Sequence, residues 1–193
     1  MKTLILASTS RYRRQLLERL GLPFQALAPG VDETELEAES PLDLAVRLAR
    51  EKAASVTQSN AVVIGSDQVA SLDGRLLRKP GGHDAALAQL LACQGREVRF
   101  HTAVTVIDTA AQRTWHTVDE TRVRFGQLPA ASLDRYLRKE QPYDCAGGFK
   151  VEGLGIALFE SVETMDPTAL VGLPLIWVAH TLRSAGLDPL AGG

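Results

Sequence analysis

Short apolar runs alternate along the chain with stretches whose apolar residues recur at helical spacing. Thr3 to Ala7 is an apolar run of strand length. Leu16, Leu17 and Leu20 then keep helical spacing up to Gly21, a helix stop. Between them lie Ser8-Thr9-Ser10, with Ser10 as the expected N-cap. Phe24 to Leu27, bracketed by Pro23 and Pro29, reads as a second short strand. Ser40-Pro41 opens a helix with the apolar stripe Ala45, Leu48, Ala49, Ala53 and Val56. Lys52 falls inside that stripe, where a lysine either snorkels to water or reaches an interior anion.

The run Ala61 to Gly65 has the continuous apolar character of a strand buried on both faces, and it ends in Ser66-Asp67-Gln68. Val69 to Leu72 and Arg75 to Leu77 predict a hairpin around Asp73-Gly74. A helix is expected over Asp84 to Cys93. A long strand follows over Val98 to Ile107, with Phe100, Thr102, Val104 and Val106 on one face. A turn leads to a partner strand from Trp115 to Phe125, then a helix from Ser132 to Arg138. Pro142 to Gly153 is glycine-rich and irregular, Leu154 to Glu160 reads as a strand, and Leu173 to Leu187 as a closing helix. Intermixed helices and strands, without repeat or linker, predict an α/β class. The expected form is a mixed twisted sheet with flanking helices, one domain over 1–193, in two lobes around a central cleft.

Composition adds exclusions. With 193 residues, 45% apolar and 23% charged, the chain reads as an ordinary soluble globular protein. A net charge of −2 gives no overall field for DNA or an anionic membrane, so neither a stable nucleic-acid partner nor membrane association is expected. Cys93 and Cys145 lack metal-ligand spacing. No signal-peptide pattern or bilayer-length apolar run is present, and the cytoplasm is the expected location.

Candidate chemistry begins at the first loop. A strand running into hydroxyls that open a helix points free N–H groups and a positive dipole end at one spot. Ser8 and Ser10 add hydroxyls and Arg13 a planar charged fork, which suits phosphate; the alternative is a plain helix start with solvated arginines. Asp67 stands at the carboxyl end of an interior strand, where open α/β sheets bind ligands, and its alternative is a turn cap. Lys79, held extended by Pro80, either overlooks that strand end or is an exposed charge. In the acidic run Val31 to Glu37, Glu35 and Glu37 read as solvated.

These pieces form an ordered set: Leu6-Ala7-Ser8-Thr9-Ser10 with Arg13-Arg14, Val31-Asp32-Glu33-Thr34, Glu51-Lys52-Ala53, Gly65-Ser66-Asp67-Gln68-Val69 and Lys79-Pro80. Ala146-Gly147-Gly148-Phe149 with Glu152-Gly153, and Gly172-Leu173-Pro174, complete it. Over nearly the whole chain the set resembles the Maf family of nucleoside triphosphate pyrophosphatases. Tyr12, Gln68 and Glu152 resemble the branch acting on 7-methylguanosine triphosphate; the branch acting on dTTP and UTP tends to carry Arg, Thr and Gln there. The chain departs from the family at Arg11, where Pro is frequent, and at Arg78, where Gly is. The second Gly of Gly147-Gly148 varies within the family.

The resemblance implies the fold of Maf and Ham1 or ITPase-like proteins. It also implies hydrolysis of a nucleoside triphosphate between the α- and β-phosphates, most naturally 7-methyl-GTP, as house-cleaning of modified nucleotides. Ser8, Ser10, Arg13, Lys52 and Lys79 would grip the phosphates, and Asp67 would accept a proton from water. Glu33 with Asp67 would hold magnesium or manganese, since hard oxygen ligands favour such ions. Tyr12 would meet the cationic base through its ring face, Glu152 would accept from two adjacent guanine N–H groups, and Gln68 would satisfy a further polar edge. A homodimer is implied as well. Two rival readings are a non-catalytic nucleotide or nucleic-acid binder, and a cysteine hydrolase built on Cys145. The second is disfavoured because no histidine has suitable spacing.

Overall fold

The computed structural model describes residues 2–191. Its strands are β1 (Thr3–Ala7), β2 (Phe24–Leu27), β3 (Ala61–Leu72), β4 (Arg75–Leu77), β5 (Glu97–Asp108), β6 (Arg113–Phe125) and β7 (Phe159–Glu163). Its α-helices are α1 (Arg11–Glu18), α2 (Pro41–Ala54), α3 (His83–Cys93), α4 (Ala130–Glu140) and α5 (Leu175–Ser184). Ser10 and Ser40 cap α1 and α2 as expected, each accepting from a backbone N–H of the first turn. Among the described residues no helix is long and apolar enough to cross a membrane.

All seven strands join one mixed sheet in the order β2-β1-β3-β5-β6-β7, with β4 folded back on β3 around Asp73-Gly74. β1 lies parallel to both β2 and β3, and the remaining pairs are antiparallel. Parallel neighbours require crossovers, which α1 and α2 supply.

The expected two lobes are two cores on one face of this sheet. At one end α1 and α5 bring Leu16, Leu17, Val178 and Leu182 against Leu4, Leu6, Val62, Ile64, Val104 and Val106. At the other end α3 and α4 bring Leu90, Leu133 and Leu137 against Val98, Phe100, Val123 and Phe125. Between the cores runs a polar belt: Ser66 and Gln68 on β3, Thr102 on β5, Asp119 and Thr121 on β6. The opposite face is covered by α2, where Ala45, Leu48 and Ala49 pack on Val69 and Ala103.

Three expectations need correction. β3 does not end at Gly65; it runs on to Leu72 because β5 stays paired with it from Val62 to Leu72. Leu154 to Leu158 is a 3-10 turn, its Gly155 N–H bonded to the Lys150 carbonyl, and only from Phe159 does the chain join the sheet. The last helix spans Leu175–Ser184 rather than Leu173 to Leu187, with Pro174 at its N-cap.

Candidate active site

β1 reaches β3 only as far as the pair Leu6 and Ile64, and β4 joins the same edge only from Ala70. Residues 65–69 of β3 are therefore covered by strand on the β5 side alone. Asp67 stands in the middle of this open edge. The strand end expected at Asp67 is found in another form: the neighbour strand has ended there although its own continues.

A cleft of about 570 Å³ opens at the gap. It is lined by Ser8, Ser10, Tyr12, Arg13, Glu33, Lys52, Asp67, Gln68, Lys79 and Glu152, so every residue singled out from the sequence faces it. Its volume falls in the range of small-ligand sites.

Lys52 is the hinge of the polar wall. It is 4% exposed, and its Nζ lies 2.6 Å from Asp67 Oδ1 and 2.5 Å from Glu33 Oε1. Of the two readings of a lysine on an apolar stripe, the interior anion is the one found. Burial works against the charge on Glu33, yet the hydrogen bond from Lys52 and the charges of Lys52, Lys79 and Arg13 hold its carboxyl below the usual range. Lys79 is itself exposed at the rim.

The first loop forms the second wall. Ser8 Oγ accepts from the Ser10 N–H at 3.1 Å, and Ser10 Oγ accepts from the Arg13 N–H at 3.4 Å. The hydroxyl hydrogens stay available, and the N–H groups of Arg11 and Tyr12 sit in a first turn with no helical acceptor. α1 has no acidic residue in its first turn; arginines crowd the positive end of its dipole instead, an arrangement that a bound anion relieves. Arg13 Nε donates to the Gly172 carbonyl at 3.0 Å, and Ser66 Oγ donates to the same oxygen at 3.0 Å. Burial pulls the Arg13 guanidinium down from its ordinary value, opposed by Asp67 and Glu33; it stays charged at any working pH.

Because side chains alternate along a strand, Asp67 points to the α2 face and Gln68 to the other. Gln68 Nε2 donates to Thr102 Oγ1 at 2.9 Å and to the carbonyls of Ala169 and Leu170 at 3.0 and 3.1 Å. Two carbonyl acceptors fix the amide orientation and leave its oxygen as the end a ligand can meet. Tyr12 carries the Arg11 guanidinium over its ring at 4.7 Å, so one face is already taken. Glu152 is exposed on the glycine-rich loop.

Other features had no individual signal. The Gly172 carbonyl is backbone and invisible to residue type. Glu35, expected to be solvated, pairs with Arg78 at 2.5 Å. Cys145 does line the cleft, but burial and neighbouring Asp144 push its thiol up to about 11, and among the described residues no histidine lines the cleft with it. A cysteine nucleophile is not what this geometry builds.

Carboxylates, lysines, arginines and a hydroxyl loop around an open strand edge define an α/β protein with a charged cleft of small-ligand size. The chain belongs to the Maf family: it matches the family described as Maf-like protein over residues 3–185. It is 54% identical over 187 residues to the 7-methyl-GTP pyrophosphatase of Burkholderia orbicola (strain AU 1054), covering 94% of this chain and 89% of the relative. It is 53% identical over 191 residues to the protein of the same name from Bordetella pertussis, covering 98% and 95%. Among solved structures it is similar to a HAM1 protein from Coxiella burnetii, with TM-score 0.46 and 15% identity over 67% of this chain and 75% of that one.

Proposed function

We propose that the protein hydrolyses nucleoside triphosphates between the α- and β-phosphates, with 7-methyl-GTP as its preferred substrate. The observation that carries the chemistry is Asp67 at the centre of the open edge, held against Lys52 and beside Glu33. The relatives' shared name supports the choice of substrate.

In this reading Ser8, Ser10, the first-turn amides, Arg13, Lys52 and Lys79 neutralise and orient the phosphate chain. Phosphoryl transfer demands mainly such positioning and charge stabilisation, plus an aligned water. Asp67 takes the proton of that water, whose oxygen bonds to phosphorus as the anhydride bond breaks and pyrophosphate leaves. Among the described residues no group of three protein ligands could hold a metal. Glu33 and Asp67 each keep a second oxygen, and two carboxylates plus phosphate oxygens are a donor set that suits magnesium or manganese. When bound, such an ion adds charge neutralisation on the phosphates.

Tyr12 offers its remaining face to the cationic base, Glu152 accepts from the guanine N–H edge, and the Gln68 oxygen meets a further donor. The test is pyrophosphate release from a panel of plain and modified triphosphates, with magnesium supplied, by the native chain and by Asp67→Asn. The variant keeps the shape and loses the base, so kcat should fall at least about 100-fold. Near-native turnover refutes the role of Asp67, and a panel left wholly intact by the native chain refutes the activity.

A further inference from the structure

Glu33 stands on a segment, residues 28–40, that contains neither helix nor strand. Its carboxylate nevertheless meets Lys52 at 2.5 Å. A loop this irregular takes its path from what it is tied to, and here the tie comes from α2. Arg47, on the same helix as Lys52, donates from Nε and Nη2 to the two carboxylate oxygens of Glu39 at 2.7 and 2.9 Å. Its Nη2 also donates to the Thr34 carbonyl at 2.9 Å, one residue from Glu33. Nη1 lies 3.2 Å from Glu51, which holds the guanidinium from the helix side.

The Glu39 side chain is only 7% exposed and also accepts the Leu36 N–H at 3.1 Å. A two-pronged arginine–carboxylate pair sets orientation as well as distance. Inside the loop, Asp32 Oδ1 accepts the N–H and the hydroxyl of Thr34, closing the turn that carries Glu33. From the other wall Arg78 reaches Glu35 at 2.5 Å, but that arginine is 72% exposed and its pair is the more screened of the two.

We propose that Arg47, acting through Glu39 and the Thr34 carbonyl, is the positioning residue for Glu33: it pins the acidic loop to the helix that carries Lys52. The inference rests on the role given to Glu33 above. The experiment is a cycle of Arg47→Ala, Glu33→Gln and the double variant, assayed for pyrophosphate release from 7-methyl-GTP with magnesium supplied. Alongside it, each protein is digested with a glutamate-specific endopeptidase.

Arg47→Ala should lower kcat about 10- to 100-fold, the scale of a misplaced group, with KM changed less than about threefold. The double variant should be no slower than Glu33→Gln alone, because one effect passes through the other. Arg47→Lys, which lacks the fork, should recover little. Glu39→Gln, which keeps the shape, should act in the same direction as Arg47→Ala. Cleavage within the loop should quicken at least about tenfold in Arg47→Ala, reporting the loop directly. Arg78→Ala should change kcat less than about threefold at physiological salt. Unchanged kcat in Arg47→Ala, losses that multiply in the double variant, or unchanged cleavage would each overturn the proposal. Native turnover in Glu33→Gln would instead sink the role of Glu33, and the cleavage rates would then decide whether Arg47 orders the loop.

Discussion

At the scale of single residues, anionic and aromatic groups of the cleft already hold cations. One ammonium, Lys52, serves two carboxylates, and one ring, Tyr12, already carries a guanidinium on one face. The second case bears on selectivity. Arg11 Nη2 also donates to Tyr12 Oη at 2.6 Å, which holds the pair together; the base contact proposed above uses the opposite face. A ring–cation contact is worth about 0.5 to 2 kcal/mol. Tyr12→Ala should therefore cut the preference in kcat/KM for 7-methyl-GTP over GTP by about 2- to 30-fold, since each 1.4 kcal/mol is a factor of ten. An unchanged ratio, measured with both nucleotides under the same conditions, removes Tyr12 from base recognition.

At the scale of elements, β3 and α2 set the distance between Asp67 and Lys52. The strand can carry Asp67 to Lys52 only if the helix lies almost on its backbone. Gly65 permits this: a Cβ there would lie 2.3 Å from the Ala53 nitrogen and 2.4 Å from the Ala49 carbonyl oxygen. Both are backbone atoms of α2, so no side-chain rotation relieves the clash. Gly65→Ala should destabilise the fold by about 1 to 3 kcal/mol, the usual cost of overpacking, read as a shifted denaturant midpoint. It should also lower kcat, because the shift moves Lys52 relative to Asp67. A variant with native stability and turnover shows that α2 is not seated as described.

At the scale of the whole molecule, the cleft sits where two cores leave a polar belt between them. Loop 169–172 lies across this belt, and its carbonyls accept from Ser66, Gln68, Thr102 and Arg13. Each core thus contributes a wall: α1 with its serine loop from one, the glycine-rich loop beside α3 and α4 from the other. In the proposed reading a triphosphate with its base touches both walls, and its binding should stabilise the fold as a unit. With a non-hydrolysable α,β-methylene analogue at about 100 times its Kd, the gain is about 2.7 kcal/mol. For a chain of this size Tm should then rise by about 5 to 11 °C in scanning calorimetry. No rise at saturating analogue with magnesium contradicts binding at this cleft.

Much of this was legible from residue order. Strand runs, caps and helix stripes depend on neighbours within a few positions, so β1, β2, α1, α2, the β3–β4 turn and the β5–β6 pair could be placed from local pattern. Ser8, Ser10, Arg13, Lys52, Asp67 and Lys79 were legible as candidates too, because hydroxyls, cations and a strand-borne carboxylate carry their chemistry in their side chains; Glu33, Tyr12, Gln68 and Glu152 stood out only through the family resemblance. What tertiary structure alone decided depends on which strands pair and where pairing stops. It carried β3 past Gly65, left Asp67 on an open edge, and turned Asp67 and Gln68 to opposite faces. It also recruited groups whose type announces nothing: the Gly172 carbonyl, and Arg47 tying down a loop it does not belong to. Local pattern specifies elements because their bonds are short-range along the chain; the cleft arises where long-range pairing is interrupted, and no short stretch of sequence encodes that gap.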